Sequence, residues 1–340
     1  MPDARTSSHG AGVETASLRV RRTRLELWTA LWIVYVVWGS TYLAIKIAVR
    51  TLPPLLTAGT RFLAAAALLA AILALLGRSL RVSRREALSA AAVGIALLAF
   101  GVGLVHVAET RIDSGVAAMI AGSVPLQVVV WRLVAGERVP RPTVLAAAIG
   151  LAGLALVIGP DGLQGGAGAV GLLVMLAASV SWSRGSFAST KVTLPADPFA
   201  AAVYEMLGGG LVLVAAGLSF GELGDLDREA LEAGPVAAWL YLALAGSVLG
   251  FSAYVWLLDN APISQVVTHQ YVNPLVAVGL GALLLDERPG PASLAGAALI
   301  VGAVVVTARV EGRETLPPEG AATPRPASGE QPGTRAGPSA

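Results

Sequence analysis

Apolar runs recur along the chain from residue 28 to residue 309, and short clusters of arginine, proline and glycine punctuate them. A hydrocarbon core of roughly 30 Å is crossed by about 20 helical residues, and the runs meet that length. Runs and breakers together predict ten membrane-spanning helices at about 28–49, 55–76, 87–108, 114–134, 143–159, 169–190, 198–219, 235–258, 263–285 and 292–309. Pro53-Pro54, Pro195, Pro198, Pro262 and Pro289-Gly290-Pro291 fall at predicted ends, whereas Pro125 and Pro274 fall inside spans 4 and 9. A proline inside a span frees a carbonyl and bends the helix, which hydrocarbon tolerates only where protein or water satisfies the backbone.

The polar positions repeat. With an offset of 144 residues Trp38 falls on Trp182, Pro54 on Pro198 and Arg61 on Glu205. With an offset of 150, Glu109 falls on Asp259, Ser114 on Ser264 and Glu137-Arg138 on Glu287-Arg288. A longer acidic connection before span 8 absorbs the shift. Five spans per copy is odd, so the second copy must cross the bilayer in the opposite sense. The predicted fold class is an all-α integral membrane protein of ten transmembrane helices, arranged as two inverted five-helix repeats. The expected units are a polar basic arm over 1–27, a first repeat over 28–159, a second over 169–309, and a disordered tail over 311–340 rich in Pro, Gly, Glu and Ser.

Composition agrees. Of 340 residues 55% are hydrophobic and 14% charged, with a mean hydropathy of +0.70, against about 25% charged in a soluble domain. The net charge of +2 does not point to nucleic acid, because the basic residues concentrate in alternate connections. Those are the N-terminal arm, Arg78/Arg81/Arg84/Arg85, Arg132/Arg138/Arg141 and Lys191, which places both termini on the cytoplasmic side. No small-residue cleavage site follows the first apolar run, so it is read as a retained span and not a signal peptide. The absence of cysteine removes disulfides and thiol chemistry, and no cofactor or metal is implied.

The stretch Trp38-Gly39-Ser40-Thr41-Tyr42-Leu43-Ala44-Ile45-Lys46, the turn from Leu52-Pro53-Pro54 to Arg61-Phe62, Ala108-Glu109 to Ser114-Gly115, Gly136-Glu137-Arg138, Tyr271-Val272-Asn273-Pro274 and Asp286-Glu287-Arg288 together resemble the drug/metabolite transporter superfamily, as a ten-helix protein with two EamA domains. The resemblance covers about residues 28 to 309. It implies an inner-membrane carrier, in many members an exporter of amino acids or other small metabolites, with a central cavity lined from both halves. Arg184, two residues after Trp182, departs from the small or apolar residue such proteins usually carry there.

A charge inside a span asks for a partner or a water-filled cavity. Trp38, Ser40, Thr41 and Tyr42 cluster at mid-span and are expected to line the cavity, although Ser40 and Thr41 can also bond back to their own helix. Trp182 and Arg184 form the mirrored wall, where the guanidinium either meets an anionic group or reaches out to the interface. His269, Tyr271 and Asn273 precede the Pro274 kink in span 9, and Tyr254 of span 8, which reads as either a lining or an interfacial belt residue, completes the candidate substrate-binding set. Arg61 and Glu205 are repeat-equivalent and opposite in charge, which suggests a buried ion pair between the halves or a coupling site where Glu205 exchanges a proton. His106 and Glu109 share a helical face and read as a polar cluster at the end of span 3. Lys46 reads as structural. The expected function is secondary transport of a small amino acid-like or amphipathic metabolite by alternating access, with the bilayer, the substrate and possible protons as partners. A passive facilitator on the same scaffold is the alternative. A membrane-embedded hydrolase is a third reading, but the chain holds no HExxH, GxSxG or phosphate-binding loop.

Overall fold

The computed structural model describes residues 8–159, 166–226, 232–260, 266 and 268–314, and among them every regular element is a helix. Ten helical spans are formed. They are α1 (Ser8–Ala48), α2 (Pro54–Leu75), α3 (Arg84–Glu109), α4 (Ser114–Val134), α5 (Arg141–Ile158), α6 (Gly166–Ser189), α7 (Pro198–Ser219), α8 (Ala233–Tyr241 continuing through Leu242–Leu249 and Gly250–Asn260), α9 (His269–Leu284) and α10 (Pro291–Glu314). Among the described residues nine are long and apolar enough to cross a membrane, and α9 adds the shorter apolar stretch Val272–Leu284. The expected tail lies outside the described residues from 315 onward, and the side chain of Tyr271 lies outside them too. At the other end α1 starts at Ser8, well before the predicted 28, because no helix breaker separates the basic arm from the apolar run.

The breakers act as the sequence implies. Pro54 and Pro198 occupy the first turns of α2 and α7, where a missing N–H costs nothing. Ser83 accepts from the Glu86 N–H while the Glu86 carboxylate accepts from the Ser83 N–H, a reciprocal cap that starts α3. Pro125 coincides with a break in α4 at Gly122-Ser123, whereas α9 continues through Pro274.

The two sequence offsets reappear in the backbone. Gly77 and Gly221, 144 residues apart, both end a helix in the left-handed region at φ +69° and +81°. Gly136 and Asp286, 150 apart, do the same at +76° and +56°, with an aspartate standing where its counterpart is glycine. Both third helices also widen to i→i+5 turns at matching places, Ile95–Gly103 in α3 and Leu242–Leu249 in α8.

Helix pairing follows the same exchange. α2 packs on α7, α4 on α9 and α5 on α10, each on its own counterpart. Three further sets of pairs map onto one another when the halves are swapped: α1–α8 with α6–α3, α1–α9 with α6–α4, and α3–α7 with α8–α2. The interior is built largely of alanine, glycine and valine, which lets helices approach closely where lipid offers no competing hydrophobic drive. Large apolar side chains such as Trp28, Trp32, Leu75, Leu145, Leu173, Leu211, Leu244 and Leu283 stay exposed around the bundle, a surface that suits hydrocarbon and not water.

Candidate functional site

α1 is the hub. Its Trp38–Lys46 stretch contacts α8, α9 and the α3–α4 corner in successive turns. Gly39 lies so close to α9 that an added Cβ would sit 2.6 Å from Val276 Cβ, and this lets Trp38, one residue earlier, reach α8. There the Trp38 indole N–H donates to the Gly246 carbonyl at 3.2 Å, inside the widened turn. Its ring meets Tyr254 at 5.0 Å and His269 at 5.3 Å, while Tyr254 and His269 stand 5.5 Å apart. Three candidates from three helices thus form one aromatic plug. His269 is held by a 2.7 Å contact of Nδ1 with the Val266 carbonyl, and Tyr35 and Thr268 join hydroxyls beside it.

Ser40 and Thr41 do bond back to their own helix, Ser40 to Val36 O at 2.7 Å and Thr41 to Trp38 O at 2.6 Å. Ser40 also meets the Tyr241 hydroxyl across the α1–α8 contact at 2.6 Å. Tyr42 packs against the core shared by α3, α4 and α6.

The mirrored wall differs. Trp182 packs over Gly101 of α3, but Arg184 is exposed and stacks its guanidinium over the Trp131 ring at 5.5 Å. Of the two readings of Arg184 the cavity-lining one is therefore corrected, and its guanidinium lies at the exposed face. Two helical positions turn the direction by about 200°, so with Trp182 inward Arg184 must face out. Behind Trp182 lies a buried network that sequence reasoning passed over. Gln127 donates to Ser123 and Ser179 at 2.9 and 3.0 Å, and Ser183 accepts from Trp131 and donates to Gln127. A glutamine two residues after an intraspan proline was its available signal.

The Arg61–Glu205 ion pair does not form; no salt bridge joins them among the described residues. Repeat-equivalent positions on α2 and α7 face the third helix of the opposite half and not each other. Arg61 turns to α8, where Nε donates to Ser247 Oγ at 3.0 Å, and its guanidinium lies over the Phe62 ring. Glu205 presents its backbone to Gly94 of α3.

Several interior polar atoms remain without a partner: Arg61 Nη1, His106 Nε2, both Glu109 carboxyl oxygens and Asn273 Oδ1. They belong to helices α2, α3 and α9, of which α3 and α9 pack on α1 and α2 packs on α8. Arg61 is 5% exposed and His106 and Glu109 are fully buried. Leaving a buried charge without its partner costs about 3–5 kcal/mol, so such a set is hard to explain as packing alone.

The far corner is built from caps. Lys46 donates to the carbonyls of Glu109 and Ile112, both at 2.8 Å, which closes the end of α3. Glu287 caps α4 and Glu222 caps α2, each from the other half of the chain. A cleft of about 660 Å³ beside this corner is lined by Arg50, Phe100, Val107, Leu213 and Phe220 among others. None of the candidate residues borders it.

Partial burial and the Glu287 carboxylate hold Asp113, in the α3–α4 connection, above the usual aspartate range, with Lys46 working the other way. An acid raised in the folded state gives stability that is complete below its ordinary value of about 3.9 and is lost as pH rises through the folded value. Asp113→Asn is therefore expected to raise the thermal midpoint slightly at pH 7, with the gain vanishing below about pH 4. An equal gain at both pH values would remove charge as its cause.

Comparison with known proteins adds to this geometry. A family profile described as the EamA-like transporter family matches residues 27–159 and again 169–309. The chain is 39% identical over 286 residues to the "Uncharacterized inner membrane transporter YedA" of Escherichia coli K12, covering 84% of this chain and 91% of that protein. It is 28% identical over 280 residues to "Protein PecM" of Dickeya dadantii, covering 79% and 88%. One solved crystal structure shares the fold with a TM-score of 0.58 at 21% identity, covering 85% of this chain and 98% of that one.

Proposed function

The chain belongs to the EamA-like transporter family of the drug/metabolite transporter superfamily, and on that premise we propose that it is a secondary carrier exporting a small amino acid-like or amphipathic metabolite. Export proceeds by alternating access, across an inner membrane with both termini in the cytoplasm. The observation that carries this reading is the set of unpartnered buried polar atoms on α2, α3 and α9. A bound polar molecule would supply what those atoms lack, at the place where the halves meet.

The Trp38–Tyr254–His269 plug favours a carrier over an open channel, because rings in mutual contact leave no continuous path between α1, α8 and α9. Hydrolysis has less support: His106 and His269 each turn Nδ1 to a backbone carbonyl, and no serine–histidine hydrogen bond occurs among the described residues.

The test is flux from liposomes holding the purified protein and loaded with a metabolite mixture, with and without a pH gradient. A carrier gives saturable efflux, and Trp38→Ala cuts it by about tenfold or more, the equivalent of roughly 1.4 kcal/mol at the barrier. A response to the gradient identifies protons as the coupling ion. Efflux that rises linearly with concentration and ignores Trp38→Ala would instead mark a facilitator.

A further inference from the structure

We propose that Arg61 is the anion anchor of the transport site, and that the substrate presents a single carboxylate to it; this rests on the carrier reading above. Three observations meet at this residue. The guanidinium is almost completely buried, and Nη1 has no partner. Its surroundings are neutral: Ser247 Oγ on Nε, the Phe62 ring beneath the plane, and Gly246, where an added Cβ would lie 3.4 Å from Nη2. No carboxylate of the described residues forms an ion pair with it.

Arginine cannot shed its proton to escape this cost, since its charge persists at any working pH. The compensating charge must then come from outside the described side chains. A planar fork with one edge held by Ser247 and another edge bare is shaped to accept a planar oxyanion through parallel hydrogen bonds. The position is also central. Gly246, which Arg61 touches, accepts the Trp38 indole hydrogen bond in the widened turn of α8, so an anion on Arg61 would lie beside the aromatic plug. Irregular helix turns of this kind are recurrent sites of ligand contact.

The charge count selects the class of anion. Lys46, a second cation turned inward among the described residues, spends its ammonium on the carbonyls of Glu109 and Ile112. A doubly charged phosphate would be left half compensated, whereas one carboxylate balances one guanidinium. His106, buried on neighbouring α3, gives its Nδ1–H to the Val102 carbonyl, so its Nε2 lone pair can accept from a donor that the substrate carries beside its carboxylate.

The experiment loads proteoliposomes of the full chain with the standard amino acids, their carboxamides and their decarboxylated amines, and follows efflux of each by mass spectrometry. Wild-type protein is expected to carry carboxylates about a hundredfold faster than the matching amides or amines, as a site built around one charged hydrogen bond rejects analogues that lack it. Arg61→Gln should abolish that preference, Arg61→Lys should keep part of it, and Ser247→Ala should raise KM while leaving the preference in place. The Ser247→Ala variant keeps the charge and serves if Arg61→Gln does not fold. Amines or amides leaving as fast as acids, with Arg61→Lys and Ser247→Ala unchanged, would overturn the anchor and leave the carrier reading standing. No protein-dependent efflux of any compound would overturn the carrier reading for this class and the anchor with it.

Discussion

Glu287→Ala is expected to lower the thermal midpoint of the detergent-solubilised protein by about 5 °C or more, corresponding to roughly 3–5 kcal/mol. The carboxylate, 8% exposed, accepts from the Ser114 N–H, the Ser114 hydroxyl and the Gly115 N–H, all at 2.9 Å. α4 has no cap of its own, because its N-cap residue Asp113 makes no side-chain hydrogen bond there. Its first N–H groups depend on a side chain from the connection between α9 and α10, more than 170 residues away. Truncation strands two buried N–H donors and a hydroxyl at about 1–3 kcal/mol each, and removes a negative charge from a helix N-terminus. Glu287→Gln keeps an acceptor and should lose less than half as much. Equal losses for the two variants would mean that the charge, and not a neutral acceptor in the same place, carries the cap at this corner.

The same residue marks the limit of what the sequence alone discloses. Span positions, the proline and glycine ends and the offsets of 144 and 150 were legible because each is local or periodic, and the paired left-handed residues Gly77/Gly221 and Gly136/Asp286 obey them. The Glu137-Arg138 and Glu287-Arg288 pairs look alike in sequence and read as the same helix-end pairing. In space Glu137 joins two cations, Arg132 at 3.1 Å and Lys191 of the other half at 2.6 Å, while Glu287 reaches a helix start of the other half. Which carboxylate finds a cation and which finds a helix end depends on contacts between halves, and no spacing encodes those.

The candidate site was legible by residue type but not by direction. Trp38, Tyr254 and His269 were identified separately, and only the packing of α1 against α8 and α9 unites them. Arg184 reads either inward or toward the interface from its type, and the 100° step per residue turns it outward once Trp182 faces in. Arg61 was assigned the wrong partner for a different reason. Symmetry relates Arg61 to Glu205 as positions, but it brings equivalent residues together only on the axis, and both lie off it, on the faces that α2 and α7 turn toward α8 and α3.

Gly94→Ala is the second substitution with a large expected effect, a loss of about 3 kcal/mol or more, and Gly94→Leu should prevent assembly. A Cβ on Gly94 would lie 2.0 Å from the Glu205 carbonyl oxygen and 2.4 Å from its Cα. Both are backbone atoms of α7, so no side chain can swing aside. The whole crossing must open. It cannot open alone, because Gly208 and Gly209 of α7 press equally on α3, with a Cβ 2.6 Å from Ala91 O and 2.8 Å from Gly94 O respectively. Seven residues on, Gly101 accepts the Trp182 ring of α6, so a displaced α3 disturbs two contacts between halves at once. Gly302 of α10 has nothing within 4 Å of an added Cβ, and Gly302→Ala should be neutral or slightly stabilising, since alanine suits a helix better by about 1 kcal/mol. Thermal midpoints of the two alanine variants, measured side by side in one detergent, isolate the effect of the crossing from that of helix propensity. Equal midpoints would mean that α3 and α7 slide freely past each other, and a rigid α3–α7 unit could then play no part in moving one half of the bundle against the other.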